Sequence, residues 1–227
     1  MYRKCFKRIL DFCLALGSIV VFSPILLVLA IWVKCDSKGP VLFRQKRVGK
    51  DKTYFNILKF RTMYADTPKD VPTHLLQNPE AMITRSGRFL RKTSLDELPQ
   101  LFNILVGQMS VVGPRPALWN QDDLIAERDK YGANALVPGL TGYAQAHGRD
   151  ELPIPVKAEL DGYYAAHISF ALDVKIVWDT FFGVIRGDGV VDASNPWAGI
   201  GRLDVVKSKF SGEGTSPNIV GNYVLDK

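Results

Sequence analysis

The longest pattern in the chain is an uncharged apolar run close to its N-terminus, Leu14 to Val33. As a straight helix this run would be about 30 Å long, enough to cross the hydrocarbon core of a bilayer. Lysine and arginine flank the run on both sides, so the positive-inside rule places both of its ends in the cytoplasm. Residues 1–36 are therefore predicted to form a re-entrant membrane element, with a kinked full span as the alternative.

Ser23 and Pro24 lie in the middle of this run. Proline removes a backbone hydrogen bond and clashes with the preceding turn, so we expect a helix, a break at these two residues and a second helix. In lipid the carbonyl that proline frees needs a local partner, and the Ser23 hydroxyl is a candidate.

Two runs rich in β-branched and aromatic residues come next, Val41–Val48 and Thr53–Phe60. The link between them, Gly49-Lys50-Asp51-Lys52, is typical of a turn, so the pair is predicted to form a β-hairpin. Strand alternation places Lys59 and Arg61 on one face, where they could clamp a phosphate or form a solvated basic surface.

Apolar residues at helical spacing predict the remaining elements. These are a short basic helix with Arg85, Arg88 and Arg91, a helix over Gln100–Val106, and helices over residues 122–131, 155–168 and 170–185. The last has a broad apolar stripe that fits either the core or the membrane interface. The predicted fold is α+β and mostly helical, with amphipathic interfacial helices around the helix that begins near Asp96. Residues 37–188 are predicted to form one domain. Residues 189–227 are predicted to be a tail that is extended, partly ordered or engaged with a second copy, and the last alternative makes a homodimer a further expectation.

Asp96 and Glu97 are adjacent carboxylates where one of these helices begins. Pro99 is tolerated only in the first turn, so the helix must start at about Ser94 to Leu98, and Ser94 with Glu97 matches a capping box. Free N–H groups and the nearby arginines favour ionised carboxylates, and an ionised carboxylate can be a nucleophile. Acidic residues in a first turn are also ordinary capping residues, so the context has to decide.

The net charge of +6 points to anionic partners, namely nucleic acid, phospholipid headgroups or phosphorylated small molecules. Cys5, Cys13 and Cys35 lack CxxC spacing, which supports neither a zinc site nor a disulfide framework. Two rigid turns complete the picture. Gly113-Pro114-Arg115-Pro116 presents a guanidinium at low entropic cost, and Pro138-Gly139-Leu140-Thr141-Gly142 lacks the spacing of a P-loop or a dinucleotide fingerprint.

Five of these features, in this order, resemble the bacterial sugar transferases, and more narrowly the monotopic phosphoglycosyl transferases. They are the apolar run with Ser23-Pro24, Lys59-Phe60-Arg61-Thr62-Met63, Leu95-Asp96-Glu97-Leu98-Pro99-Gln100, Gly113-Pro114-Arg115-Pro116 and Pro138-Gly139-Leu140-Thr141-Gly142. The resemblance covers about residues 3–188. It is to the small form of the family, in which no long multi-helix region comes first.

The resemblance implies transfer of a sugar 1-phosphate from a UDP-sugar to undecaprenyl phosphate, with release of UMP, on the cytoplasmic face of the bacterial inner membrane. This is the first membrane step of glycan assembly. Asp96 would attack the β-phosphate to form a covalent phosphosugar intermediate. Glu97 would help place Mg²⁺, together with Asp96, or would assist the proton and charge balance. The candidates for phosphate or uridine contacts are Lys59, Arg61, Arg88, Arg115 and Arg149.

Two other functions stay open. A polyprenyl glycosyltransferase would move the sugar without its phosphate and release UDP. A membrane-anchored basic adaptor would bind nucleic acid or acidic lipids, but the basic residues surround a carboxylate pair that repels polyanions. Nucleic acid is therefore not an expected partner. The sequence does not identify the sugar.

Overall fold

The apolar N-terminal run forms the longest helix of the structure, a computed structural model that describes residues 2–68, 76, 78–148 and 152–185. These residues belong to the unit Met1–Val190. The predicted tail and Arg149 lie outside them. The helices are α1 (Lys7–Asp36), α2 (Arg85–Thr93), α3 (Gln100–Leu105), α4 (Asp122–Asp129), α5 (Tyr143–Ala146), α6 (Ile154–His167) and α7 (Phe170–Ile185). The strands are β1 (Leu42–Val48), β2 (Tyr54–Phe60), β3 (Ser110–Val112) and β4 (Gly139–Thr141). A π-helical turn covers Tyr2–Phe6, and 3₁₀ turns cover Lys50–Lys52, Pro79–Met82, Leu95–Glu97 and Ala133–Ala135.

The predicted hairpin is confirmed within one residue at each strand. β1 and β2 are antiparallel, and their register pairs Leu42 with Phe60 at one end and Val48 with Tyr54 at the other. The free edge of β2 binds a side chain of α3: Asn103 accepts a hydrogen bond from the Leu58 N–H at 3.0 Å. The same side chain donates to the Asn56 carbonyl at 2.9 Å. This fixes α3, and with it the turn that carries the two carboxylates, beside β2.

The two rigid turns seen in the sequence lie side by side, which the sequence did not reveal. β3 and β4 form a short parallel pair, extended by hydrogen bonds from Gly113 N to Thr141 O and from Gly139 N to Pro114 O, both 2.9 Å. The backbones approach so closely that a Cβ on Gly139 would lie 2.1 Å from Gly113 N. Both positions therefore need glycine for contact distance.

The chain remains helical through Ser23 and Pro24, because α1 runs without interruption from Lys7 to Asp36. The predicted break into two helices is therefore corrected to one helix with an internal proline. The physical reason is the local repair expected from the sequence. Pro24 has no N–H for the Val20 carbonyl, and the Ser23 hydroxyl donates to that carbonyl at 2.8 Å instead.

Both ends of α1 are held by the same domain. Near the N-terminal end, Arg8 donates to the carbonyl oxygens of Ile104 and Leu105 at 2.6 and 2.8 Å. At the C-terminal end, the Asp36 carboxylate accepts hydrogen bonds from the Ser86 N–H and hydroxyl at 2.9 and 2.8 Å. Between these ends, most of the apolar side chains of residues 20–28 are exposed.

α7 divides its apolar residues between the core and the surface. Ile176 is buried beside Tyr164 and Val112. A second stripe on the same helix is exposed; its members are Phe170, Val174, Val177, Trp178 and Phe181. α1 is long and apolar enough to cross a membrane and is exposed in the same way. Apolar patches of this extent mark an interaction surface.

Candidate active site

Asp96 and Glu97 lie in the 3₁₀ turn Leu95–Glu97, between α2 and α3. Ser94 ends α2 in the left-handed region, with a φ of 57°, and so redirects the chain toward the turn. The Ser94 side chain makes no capping hydrogen bond, so the predicted capping box is not formed. The two carboxylates are therefore held by the chain reversal and by contacts with distant residues.

Glu97 is bound by two cations. Lys59, at the end of β2, donates to Glu97 Oε1 at 2.6 Å, and Arg115 Nη2 lies 3.4 Å from the same oxygen. Burial opposes ionisation of Glu97, but the charges and hydrogen bonds of Lys59 and Arg115 outweigh it and lower its pKa to about 2. Glu97 is thus a carboxylate throughout the physiological pH range.

Asp96 is in a different environment, with only 9% of its surface exposed. Burial raises its pKa above the ordinary value, and the charge of Glu97 acts in the same direction. The positive charges of Lys59, Arg91 and Arg115 oppose this. Because a higher pKa makes a carboxylate a stronger base and nucleophile once it is ionised, the pair divides into a basic Asp96 and a firmly ionised Glu97. The sequence predicted that nearby cations favour the ionised form of both carboxylates; at Asp96 burial outweighs them and raises its pKa, whereas at Glu97 they lower it.

The predicted clamp of Lys59 and Arg61 is not formed, since these residues face different partners. Arg61 is 4% exposed and follows the last residue of β2. Its guanidinium donates to Lys38 O at 2.6 Å, and to Ser37 O and Oγ at 2.7 and 2.9 Å. These atoms follow the C-terminal end of α1, where a cation also stabilises the helix dipole. Arg61 therefore fixes α1 to the hairpin.

The structure brings Arg115 to the carboxylates but places Arg88 on an exposed face of α2. Arg91, one turn later, is half-buried and is the arginine of α2 whose charge acts on Asp96. The predicted contacts included Arg88 but not Arg91, because a spacing of three residues does not show which arginine faces the carboxylates. The two arginines can be distinguished by their position relative to the buried side of α2. Leu90 lies on that side, whereas Phe89 is exposed.

The two carboxylates fit one half of a magnesium site. Mg²⁺ prefers oxygen ligands and commonly shares its coordination between one or two carboxylates, water and substrate phosphates. No group of three or more His, Cys, Asp or Glu side chains that could hold a metal occurs in the described part of the chain. Asp96 and Glu97 therefore suit an ion that arrives with a diphosphate.

Comparison with known proteins identifies the family. Residues 2–187 match the family model described as bacterial sugar transferase. The chain belongs to the bacterial sugar transferases. This confirms the resemblance carried by the five sequence motifs.

Several members of the bacterial sugar transferase family are similar to this chain over most of its length. The uncharacterized sugar transferase EpsL of Bacillus subtilis is 36% identical over 208 residues, which cover 92% of this chain and 96% of EpsL. A UDP-N-acetylgalactosamine-undecaprenyl-phosphate N-acetylgalactosaminephosphotransferase of Aeromonas hydrophila is 39% identical over 81% of this chain. A UDP-glucose:undecaprenyl-phosphate glucose-1-phosphate transferase of Klebsiella pneumoniae is 40% identical over 78% of this chain. The chain spans only 44% and 39% of the length of the latter two proteins.

Proposed function

We propose that this sugar transferase moves a sugar 1-phosphate from a UDP-sugar to undecaprenyl phosphate, producing a lipid diphosphate sugar and UMP. The relatives from Aeromonas and Klebsiella carry names that state reactions of this class. The observation that carries the proposal is the arrangement of the carboxylates: a buried Asp96 beside a Glu97 that two cations hold. The proposed reaction would be the first membrane step of glycan assembly.

In the first step, an ionised Asp96 carboxylate oxygen attacks the β-phosphorus of the UDP-sugar. A bond forms between that oxygen and phosphorus, and the bond from phosphorus to the oxygen bridging the two phosphates breaks. UMP leaves with the bonding electrons, and the sugar phosphate stays on Asp96 as an acyl phosphate. Lys59, Arg91 and Arg115 supply the positive charge that offsets the charge building up on the phosphate oxygens.

In the second step, a phosphate oxygen of undecaprenyl phosphate attacks the same phosphorus. The bond between phosphorus and Asp96 breaks, the carboxylate is restored, and the product is the lipid diphosphate sugar. Division into two displacements lets the water-soluble and the lipid substrate use one site in turn. No external oxidant, reductant or water is consumed.

Mg²⁺ is proposed as the cofactor, held by Asp96 and Glu97 together with the diphosphate. When bound, it would neutralise phosphate charge and orient the leaving group. Glu97 has one oxygen, Oε1, directed to Lys59 and Arg115, and its low pKa keeps the whole group anionic for a cation. Lys59 and Arg115 would fix that carboxylate while the diphosphate binds.

The proposed location is the cytoplasmic face of the inner membrane, with both ends of α1 on that face and its exposed apolar middle in one leaflet. A straight helix of the length of α1 would measure about 45 Å. Because Arg8 and Asp36, near its two ends, bond to the same domain, a full crossing would require that domain to reach both membrane faces. The exposed apolar stripe of α7 would then rest in the interface. The homodimer stays a prediction, because the tail on which it rests lies outside the described residues.

The test is to incubate the purified chain in nanodiscs with undecaprenyl phosphate, Mg²⁺ and a panel of UDP-sugars, and to identify the released nucleotide. We expect release of UMP that depends on the identity of the sugar and is abolished by Asp96→Asn. With the acceptor omitted, we expect one equivalent of UMP and a phosphosugar adduct on the peptide that contains Asp96. Asp66→Asn, on an exposed loop carboxylate, is the matched control and should behave as the unaltered chain.

The alternatives predict different products. Release of UDP would replace the phosphosugar mechanism with simple glycosyl transfer. Salt-sensitive DNA binding with no nucleotide released from any UDP-sugar would favour the basic adaptor. UMP release that survives Asp96→Asn would remove this residue as the nucleophile.

A further inference from the structure

An exposed aromatic pair joins the membrane helix to the basic helix that leads to the catalytic turn. The Trp32 ring of α1 and the Phe89 ring of α2 lie with their centroids 5.4 Å apart and their planes inclined by 49°. Trp32 is 39% exposed and Phe89 is 45% exposed. The buried contacts between the same two helices are made by other residues, among them Leu29, Val33 and Leu90. The aromatic pair is therefore additional to the core.

The exposed face of α2 is entirely cationic apart from Phe89. Arg85, Arg88 and Lys92 are exposed, and the helix contains no acidic residue. At 3.6 residues per turn these three side chains occupy the arc between Arg91 on one side and Phe89 on the other. Arg91 acts on Asp96, whereas Phe89 contacts Trp32. One helix thus presents, in order around its circumference, the side toward the nucleophile, a cationic strip and an aromatic patch.

We propose that this surface binds the lipid acceptor, a polyprenyl phosphate. Its phosphate would lie on the strip formed by Arg88 and Lys92, and the first isoprene units would lie on Trp32 and Phe89. This assignment rests on the proposed function for its choice of ligand. The chemistry matches a molecule with one anionic end and one apolar end. The patch includes Trp32 of α1, the helix that is long and apolar enough to cross a membrane in the described part of the chain.

Charge and position distinguish this surface from the other exposed apolar residues. Phe12, on the N-terminal part of α1, is 42% exposed. The aromatic rings of α7 neighbour Lys175, but Asp179 pairs with that lysine. The Trp32–Phe89 pair adjoins the cationic strip of α2, and Phe89 lies a few residues before the turn Leu95–Glu97. A general membrane contact needs no such strip.

The experiment measures binding directly and needs no turnover. Undecaprenyl phosphate is titrated into the full chain in detergent micelles, and the bound fraction is read by native mass spectrometry. We expect Trp32→Ala with Phe89→Ala to raise the Kd about tenfold, because two apolar contacts are lost. Phe12→Ala removes one ring of similar exposure from the same membrane helix and should change the Kd less than about twofold.

A second arm tests the cationic strip. The double variant Arg88→Gln and Lys92→Gln should bind undecaprenyl phosphate about tenfold more weakly. Its affinity for undecaprenol, which lacks the phosphate, should be unchanged. Lys50→Gln, at an exposed lysine of the hairpin turn, is the control for lost charge. Phe89→Gln repeats the aromatic test without adding a charge and leaves the buried Leu90 contact in place.

Equal weakening by Phe12→Ala and by the aromatic double variant would overturn the proposal, since the pair would then be a general membrane contact. Its failure is separate from that of the transferase. If the lipid binds through Trp32 and Phe89 but no UMP is released, the docking surface is supported and the proposed reaction is contradicted. If UMP release depends on the acceptor but the aromatic double variant binds the lipid with unaltered affinity, the reaction is supported and the docking surface is contradicted.

Discussion

The Lys59 ammonium donates a 2.6 Å hydrogen bond to Glu97 Oε1 and joins the end of β2 to the turn before α3. The two residues are 38 positions apart, and their side chains are only 17% and 20% exposed. An ion pair this sheltered from water is stronger than a surface pair and holds its geometry. It therefore sets both the charge and the position of the carboxylate next to the proposed nucleophile.

Removal of this cation should impair the reaction. Lys59→Met keeps the length and apolar stem of the side chain, and we expect about a hundredfold lower rate of UMP release, as for loss of a preorganised electrostatic contact. The pKa of Glu97 should rise at the same time. Lys52→Met, which removes an exposed lysine paired with Asp129, is the control and should retain the full rate. A normal rate in Lys59→Met would reduce the ion pair to a structural role.

The re-entrant topology can be tested with the native cysteines. Cys5 lies before α1 and Cys35 near its end, and both are exposed. In single-cysteine versions of the chain, an impermeant maleimide added to intact cells should label neither. Ser23→Leu with Pro24→Leu removes the internal proline and should favour a full span, so that Cys5 becomes labelled from outside. Labelling of Cys5 in the unaltered chain would establish the spanning alternative.

Arg61 should matter for stability rather than for substrate affinity. Arg61→Ala leaves the Ser37 and Lys38 carbonyl groups without their donor, and we expect a loss of about 3 kcal/mol in the free energy of unfolding. Thermal unfolding in detergent should show a lower Tm, with the KM for UDP-sugar unchanged in the folded fraction. Arg44→Ala, at an exposed position on β1, should leave the Tm within about 1 °C. A raised KM for UDP-sugar with an unaltered Tm would instead support the original prediction that Arg61 contacts the substrate.

The two rigid turns lie too close together to accommodate a methyl group at Gly139. Gly139→Ala forces a Cβ against the Gly113 backbone, so the pairing of β3 with β4 must open and Arg115 must move from Glu97. We expect a lower Tm and at least about a tenfold loss of activity. Gly183→Ala meets nothing within 4 Å and should be neutral or slightly stabilising in α7. Equal effects at both glycines would show that the contact distance is not what requires Gly139.

Local order in this protein followed directly from its sequence. The hairpin and α7 have the predicted boundaries within a residue, because strand alternation, turn chemistry and helical spacing act between near neighbours. The Ser23 hydroxyl met the carbonyl freed by Pro24 for the same reason: its partner is three residues away. The family likewise followed from motifs that can be read one after another.

The tertiary structure decided which charges meet at the carboxylates. Lys59 and Arg61 stand two residues apart, yet one binds Glu97 and the other holds the end of α1, because β2 ends between them. On α2 the burial of Leu90 set the rotation that turns Arg91 toward Asp96 and leaves Arg88 exposed.

The sequence by itself thus determined the hairpin, most of the helices, the carboxylate pair and the family, but not the unbroken course of α1 or the pairing of β3 with β4. Only the fold decided the electrostatic environment of that pair, including the opposite pKa shifts of Asp96 and Glu97. The physical reason is range. Secondary structure depends on residues within a few positions of one another, whereas the pKa of a buried carboxylate depends on its desolvation and on charges brought close by packing of distant segments.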